Sequence, residues 1–383
     1  MLRVLFLDVQ RINSRFQREF DEAFSRVSRS GRYLFGAETE AFEREFAAWN
    51  GSAHCISVAN GLDALRLTLR AWISLDKLAP GDEIIVPANS FIASALAVTD
   101  SDLQVRFADV NAETFNVTVD TVSNVLGQRT RAVMPVHLYG QCADIERIRS
   151  YCGEKDLLLL EDAAQAHGAR TGSRRVGTFG DAGCFSFYPA KNLGAMGDAG
   201  CVTTEDSSLA ERVRLLGNYG AARKYVHDFR GSNSRIDELQ AACLRIRLRH
   251  LDDDNARRRE IARLYCREIT HPLVTVPALP SDQESHVWHL FVVRTPHRAS
   301  LVQHLEAHGV ETLIHYPTVI HQQRAYLGYA DHASTPIAEH LQHQVLSLPI
   351  SPVLESDQVD HVIDAVNRWP APASARERLT EKS

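Results

Sequence analysis

Several patterns are missing from this 383-residue sequence, and each absence closes off a class of protein. Among the seven cysteines (Cys55, Cys142, Cys152, Cys184, Cys201, Cys243 and Cys266) there is no CxxC pair, and the seventeen scattered histidines form no HExxH. That removes the usual zinc-site patterns. No apolar run spans a bilayer, since a stretch such as Phe91 to Thr99 is far too short. Basic residues are not in excess. A formal net charge of -6 gives no support for a nucleic-acid surface, which needs a concentrated basic face. There is no internal repeat and no low-complexity segment. The cysteine count is odd and no signal-like stretch follows Met1-Leu2-Arg3, so a reduced, cytoplasmic protein is expected.

What is present is ordinary globular material, 44% hydrophobic and 23% charged, in a chain long enough for a large domain and a smaller companion. Arg11 to Ser28 has apolar residues at Ile12, Phe16, Phe20 and Phe24, a helical spacing. Glu38 to Trp49 reads as a second helix. Strands then alternate with helices: strands at Cys55–Val58, Glu83–Val86, Gln104–Phe107, Ala132–Val136 and Leu157–Leu160, with helices from Asn60-Gly61 onward, at Ser90–Thr99 and at Ile145–Cys152. Unalternated apolar strands separated by helices indicate a mostly parallel sheet covered on both faces. Arg235 to Tyr265 reads as one long helix. Pro277 and Pro280 mark a linker into a small α+β part, with a strand at Trp288–Arg294 and helices at Ala299–His308 and Gln358–Trp369. Ser356 or Asp357 is the expected N-cap of the last helix. The expected division is a large α/β domain over 1–240, a long helix and small domain over 241–370, and a frayed polar tail over 371–383.

The stretch Cys184–Gly200, CFSFYPAKNLGAMGDAG, concentrates the chemistry. Phe185-Ser186-Phe187 ends a buried strand, Pro189 breaks it, and Lys191 precedes Gly194, Gly197 and Gly200. A lysine on a surface loop is the bland reading. A lysine held between a strand end and a glycine-rich turn also suits a Schiff base with an aldehyde cofactor, pyridoxal phosphate. Four other places bear on that choice. Glu161-Asp162 closes an apolar strand, where buried carboxylates need partners. One of them suits the pyridine nitrogen of such a cofactor, whereas helix capping by Asp162 is the plain alternative. Asn60-Gly61-Leu62-Asp63 opens a helix whose bare N–H groups suit a phosphate, although ordinary caps look the same. Phe91 follows a strand and could stack on a ring, although taken alone it reads as core. Arg223, Lys224, Arg230 and Arg235 surround a single Asp228, a solvated basic loop or an anion site.

Taken together, these stretches resemble the pyridoxal phosphate-dependent sugar aminotransferases of the DegT/StrS type. The resemblance runs from Phe6-Leu7-Asp8 to Leu348-Pro349-Ile350. It rests on VANGLDALRL (58–67), PVHLYGQ (135–141), EDAAQAHGA (161–169), SFYPAKNLGAMGDAG (186–200), NSRIDELQAA (233–242) and IHYP (314–317). The fold it implies is α/β, type I aspartate aminotransferase-like, with a mostly parallel seven-stranded sheet and a small C-terminal α+β domain. By that resemblance Lys191 forms the Schiff base and shuttles the proton. Asp162 pairs with the pyridine nitrogen, and Gln165 bonds the ring hydroxyl. Phe91 stacks on the ring, and Gly61, Leu62 and Ser186 hold the phosphate. Asn233 reaches the phosphate of a neighbouring subunit, which makes the enzyme a homodimer with shared sites.

The implied reaction moves an amino group from L-glutamate, through pyridoxamine phosphate, to the ketone of a nucleotide-linked sugar. Arg223, Lys224 and Arg230 are candidates for the sugar's diphosphate, and Tyr188, His315 and Tyr316 complete the substrate-binding set. The wording is most similar to members that aminate C3 of dTDP-3-keto-6-deoxyhexoses. Members acting at C4 more often carry threonine or serine in place of Leu62, and many relatives have threonine at Ala190. A C4 enzyme of the perosamine type therefore stays open. So does a non-catalytic PLP-binding regulatory protein. The dehydratase branch, with histidine at the lysine position, is disfavoured by Lys191 itself.

Overall fold

The computed structural model describes residues 2–328 and 334–370. Three helices come first: α1 (Val9–Ser14), α2 (Gln17–Ser30) and α3 (Ala37–Asn50). Next are β1 (His54–Val58), α4 (Gly61–Ser74), β2 (Glu83–Pro87), α5 (Ala93–Thr99), β3 (Gln104–Ala108), α6 (Val119–Ser123), β4 (Thr130–Val133), α7 (Ile145–Glu154) and β5 (Leu158–Asp162). A small hairpin, β6 (Arg170–Thr171) with β7 (Arg174–Arg175), leads to β8 (Ala182–Ser186), β9 (Gly200–Thr204) and α8 (Ser207–Gly217). A second hairpin, β10 (Ala221–Arg223) with β11 (Val226–His227), precedes α9 (Glu238–Leu248) and α10 (Leu251–Glu268). The chain ends in β12 (Phe291–Arg294), α11 (Arg298–Ala307), α12 (Pro336–Leu341), β13 (Val345–Leu348) and α13 (Ser356–Asn367).

Seven strands form one sheet in the order β1-β9-β8-β5-β4-β2-β3. The pairs among β3, β2, β4, β5 and β8 are parallel, and β9 runs antiparallel to both β8 and β1. The mostly parallel sheet is therefore as expected. Its central strands are apolar because helices cover both faces, so neither face meets water. All five residues of β2 and of β9 are buried. The crossing from β1 to the next strand of the parallel set passes through α4, whose Leu65, Leu67, Leu69 and Trp72 are buried in the main core. A separate apolar cluster joins α10, β12, β13 and α13 through Tyr265, Phe291, Leu346 and Val362, and the N-terminal Val4 belongs to it.

Several boundaries differ from expectation. The helix expected over Arg11–Ser28 is interrupted at Arg15-Phe16, and the long helix over Arg235–Tyr265 is interrupted at Arg249-His250. The two interruptions meet: the Phe16 and His250 rings are 4.8 Å apart, and Arg15 makes two hydrogen bonds to Asp254. Ser90 and Phe91 lie before α5 rather than in it. The strand expected over Ala132–Val136 stops at Val133, and Val136 makes only an isolated bridge to Asp162. The strand expected over Leu157–Leu160 instead extends to Asp162, so Asp162 caps no helix. The N-cap of α13 is Glu355, not Ser356 or Asp357, because its side chain folds back onto the Gln358 N–H while Gln358 accepts from Glu355. The tail over 371–383 lies outside the described residues.

Candidate active site

Parallel register places the chemistry at the carboxyl ends of β5 and β8, where open α/β sheets carry their sites. Asp162 stands opposite Cys184, two residues before Ser186. Successive strand residues face opposite ways, so the two carboxylates part company. Glu161 is fully buried on one face and accepts from the N–H groups of Gly177, Phe179 and Gly180 at 2.7 to 2.9 Å. His137 Nε2 lies 3.0 Å from Glu161, and His137 Nδ1 accepts from the Ala143 N–H, which leaves the proton on Nε2 to donate to Glu161. Glu161 is thus a structural acceptor, occupied by backbone donors and His137. Asp162 faces the site instead. Its Oδ2 accepts from the Ser94 hydroxyl at 2.8 Å and its Oδ1 from the Ala164 N–H at 3.2 Å. Burial raises the Asp162 pKa, and these two bonds only partly oppose that. A buried carboxylate in this position suits a cationic group placed against it.

Lys191 is that carboxylate's counterpart. It is half-buried in the turn after β8. Burial pushes its ammonium down to about 8, with the Asp162 charge pulling the other way. A substantial fraction of the amine is then neutral at physiological pH, as a nucleophile toward an aldehyde must be. The turn is tight by construction. A Cβ on Gly194 would sit 2.4 Å from the Pro189 carbonyl oxygen. The buried Arg247 of α9 donates to the carbonyls of Gly194 at 2.6 Å and Asn192 at 3.4 Å. The Met196 N–H donates to Gln240, also on α9.

The phosphate cradle forms where three segments converge. Ser186 ends β8, Gly200 starts β9 directly opposite it, and Val58 of β1 pairs with Gly200 from the other side. The chain then enters α4 through Asn60, whose side chain accepts from the Asp63 N–H. The N–H groups of Gly61 and Leu62 have no acceptor within the helix. A Cβ on Gly61 would lie 2.5 Å from Ser186 Cβ, so only glycine lets the helix start come this close to that hydroxyl. A helix N-terminus, two bare N–H groups and a serine hydroxyl together fit a phosphate.

The ring environment also fits. Phe91 is 55% exposed beside the site, which rejects a core role. Its ring lies 5.6 Å from that of Tyr316. Gln165 is buried, its Oε1 accepting from the Tyr139 N–H at 2.6 Å and its Nε2 donating to the Tyr316 hydroxyl at 3.2 Å. Burial raises the Tyr316 hydroxyl to about 12, which keeps it neutral. His315 is pushed down to about 4 by burial and the nearby Lys191 charge, and its Nδ1 sits 2.8 Å from the Ser347 hydroxyl. A groove of about 1070 Å³ adjoins this place: Tyr188, Ala190, His289 and His315 form its inner side, and the N-terminal segment over 2–9 with residues 309–313 forms much of the rest, whereas Lys191, Asp162, Gln165 and Phe91 do not line it.

The structure therefore gathers Lys191, Asp162, Gln165, Gly61, Leu62, Ser186, Phe91, Tyr188, His315 and Tyr316 around one place. It does not bring Asn233, Arg223, Lys224 or Arg230 there. These are exposed, and among the described residues no hydrogen bond, ion pair or ring contact joins them to Lys191, Asp162 or Gln165. Ser94, Asn192, Arg247 and His289 were not foreseen. Only Asn192 sits in a motif, next to Lys191, and nothing local distinguishes the other three.

A desolvated lysine beside a buried aspartate at the strand ends of this sheet is the arrangement expected of a pyridoxal phosphate enzyme of fold type I. The comparisons narrow the class. Residues 14–367 match the DegT/DnrJ/EryC1/StrS aminotransferase family. The chain is 47% identical to the dTDP-3-amino-3,6-dideoxy-alpha-D-galactopyranose transaminase of Aneurinibacillus thermoaerophilus, covering 95% of this chain and 99% of that one. It is also 47% identical to the dTDP-3-amino-3,4,6-trideoxy-alpha-D-glucose transaminase of Streptomyces venezuelae, covering 96% of each. The crystal structure of S. venezuelae DesV in complex with a ketimine intermediate superposes with a TM-score of 0.93 at 46% identity, over 97% of this chain and 100% of that one. The chain belongs to the DegT/DnrJ/EryC1/StrS family and is a PLP-dependent aminotransferase.

Proposed function

We propose that this enzyme transfers an amino group from L-glutamate to the ketone of a dTDP-3-keto-6-deoxyhexose, making a 3-amino sugar for deoxyaminosugar biosynthesis. The observation that carries the reading is Lys191, desolvated in the turn after β8, its ammonium lowered to about 8, beside the buried Asp162. The choice of sugar rests on the two transaminases named above. The cofactor supplies an aldehyde that links to amines and a protonated ring that draws electrons from the neighbouring carbon.

The residues divide the remaining work. Asp162 holds the proton on the ring nitrogen. Gln165 Nε2 would donate to the ring hydroxyl, and Phe91 would stack on the ring. The Gly61 and Leu62 N–H groups and the Ser186 hydroxyl hold the phosphate. Lys191 Nζ would carry the proton from the amino-bearing carbon of the donor to the cofactor's reactive carbon in the first half-reaction, and from that carbon to the sugar carbon in the second. Tyr188, His315 and Tyr316 border the sugar. Asn233 of a second copy completes the phosphate cradle, and that copy's Arg223, Lys224 and Arg230 balance the nucleotide diphosphate. The working form is a cytoplasmic homodimer, its large domain over 1–240 and its smaller one over 241–370. No helix among the described residues is long and apolar enough to cross a membrane.

The test is the purified enzyme with glutamate and a panel of dTDP- and GDP-linked 3-keto and 4-keto sugars, with products read by NMR. A new amine at C3 supports the reading. Exclusive amination at C4 replaces it with a perosamine-type enzyme. No turnover, and no conversion of bound cofactor by glutamate, would leave a PLP-binding regulatory protein.

A further inference from the structure

One imidazole in the groove has no role in the scheme above, and its hydrogen bonds define which nitrogen is free. Asn255 Nδ2 donates to the His167 carbonyl at 2.8 Å, which fixes the orientation of the Asn255 amide. Its Oδ1 therefore accepts from Asn192 Nδ2 at 2.8 Å, and Asn192 Nδ2 also donates to the Val287 carbonyl at 3.0 Å. That fixes Asn192 in turn, with Oδ1 as acceptor. His289 Nδ1 lies 3.2 Å from this oxygen, so Nδ1 carries the hydrogen. Nε2 is left as a bare acceptor. It has no partner among the described residues, and His289 lines the groove together with Tyr188, Ala190 and His315. Burial and the neighbouring Lys191, Arg258, His315 and His167 hold the ring neutral, so the lone pair stays available.

We infer that His289 Nε2 accepts a hydrogen bond from a sugar hydroxyl of the ketosugar substrate and so helps select it, with Asn192 and Asn255 as positioning residues that fix the tautomer. The inference rests on the proposed ketosugar reaction. Its logic is that of a polar site that rejects an analogue lacking the matching hydroxyl, because the buried acceptor is then left unpaired.

The experiment measures KM for the parent dTDP-ketosugar and for analogues lacking one ring hydroxyl at a time, in wild type, His289→Phe and His289→Gln. For the parent sugar, His289→Phe should raise KM at least about tenfold, the loss expected of one buried hydrogen bond. Against one deoxy analogue that penalty should vanish. His289→Gln, which keeps an acceptor oxygen, should recover part of it. Selective ¹⁵N labelling of histidine in the wild-type enzyme should report His289 with Nδ1 protonated and Nε2 bare, and the Nε2 signal should move on sugar binding. An unchanged parent KM in His289→Phe, an equal penalty against every analogue, or a protonated Nε2 overturns the role of His289 alone. If wild type aminates none of the ketosugars, the proposed function falls and this inference falls with it.

Discussion

At the scale of single residues, the site depends on keeping one carboxylate charged in a buried place. Asp162 is raised by burial and is restrained chiefly by the Ser94 hydroxyl. A carboxylate only accepts, so the Ser94 hydrogen is committed to Asp162. Removing it, as in Ser94→Ala, raises the Asp162 pKa further, so a proton shared with the ring nitrogen would shift toward the carboxylate. With less positive charge in the ring, the lysine–cofactor Schiff base binds its own proton more tightly. The pH at which the cofactor's visible absorbance changes should then move upward, by up to about one unit. Ser94→Thr should restore it. Identical titrations of wild type and Ser94→Ala would remove the hydroxyl from the account.

Lys191 gives a second expectation at this scale. Its pKa is lowered to about 8, so in cofactor-free enzyme the neutral amine grows as pH rises and saturates above that value. The rate of PLP capture, followed by absorbance, should climb through pH 6 to 8 at about tenfold per unit and then level off. A climb that continues toward pH 10 would mean that the amine is not desolvated. Lys191→Ala should retain cofactor through its phosphate contacts, yet lose the Schiff-base absorbance and all turnover.

At the scale of elements, α9 does more than its apolar stripe suggests. Glu238, in its first turn, is buried and accepts from the N–H groups of Gly36, Glu38 and Thr39 at 2.9 to 3.0 Å. One helix therefore caps the N-terminus of another, α3, where the helix dipole favours an anion. A Cβ on Gly36 would lie 2.6 Å from Glu238 Oε2, so that glycine is part of the same joint. Glu238→Ala leaves three buried donors unpaired and should cost about 2–4 kcal/mol. Thermal melts of the cofactor-free protein should register it. Glu238→Gln should cost less, because an amide oxygen remains. A melting point equal to wild type would show that water replaces the cap without loss.

The same elements explain what could be read from the sequence. Lys191, Asp162 and Gly61 were legible because a strand end, a glycine-rich turn and a helix start are local signals. The breaks at Arg15-Phe16 and Arg249-His250 were not. Neither contains proline or glycine, and the apolar spacing continues through both. Their cause is tertiary, since Phe16 packs on His250 and Arg15 pairs with Asp254. Ser94 lies 68 positions from Asp162, His289 lies 97 from Asn192, and Glu238 lies about 200 from the donors it caps. No periodicity in the chain specifies such pairs; the sheet register and helix packing do.

At the scale of the whole molecule, the proposed sharing of each site between two chains turns on Asn233. Asn233 is exposed, although it belongs to the same motif as the buried Ser234, Ile236 and Glu238. Exposed apolar side chains recur nearby in sequence and on the lysine turn: Tyr219 at 48%, Tyr225 at 84%, Met196 at 49%, with Phe24 at 61% and Tyr33 at 58% on and after α2. The proposed homodimer offers these groups a partner surface. If Asn233 of one chain completes the cradle beside Lys191 of the other, the two functions can be separated and recombined. Lys191→Ala dimers should be inactive, and Asn233→Ala dimers should bind cofactor weakly. Co-refolding the two variants in equal amounts makes half the dimers mixed. In each mixed dimer one site pairs an intact Lys191 with an intact Asn233. Activity at limiting cofactor should return to about a quarter of wild type, the statistical ceiling for a two-fold dimer with shared sites. If the mixture only averages its two parents, each chain completes its own site. Asn233 would then be a surface residue, and the dimer would have to be argued from the apolar surface alone.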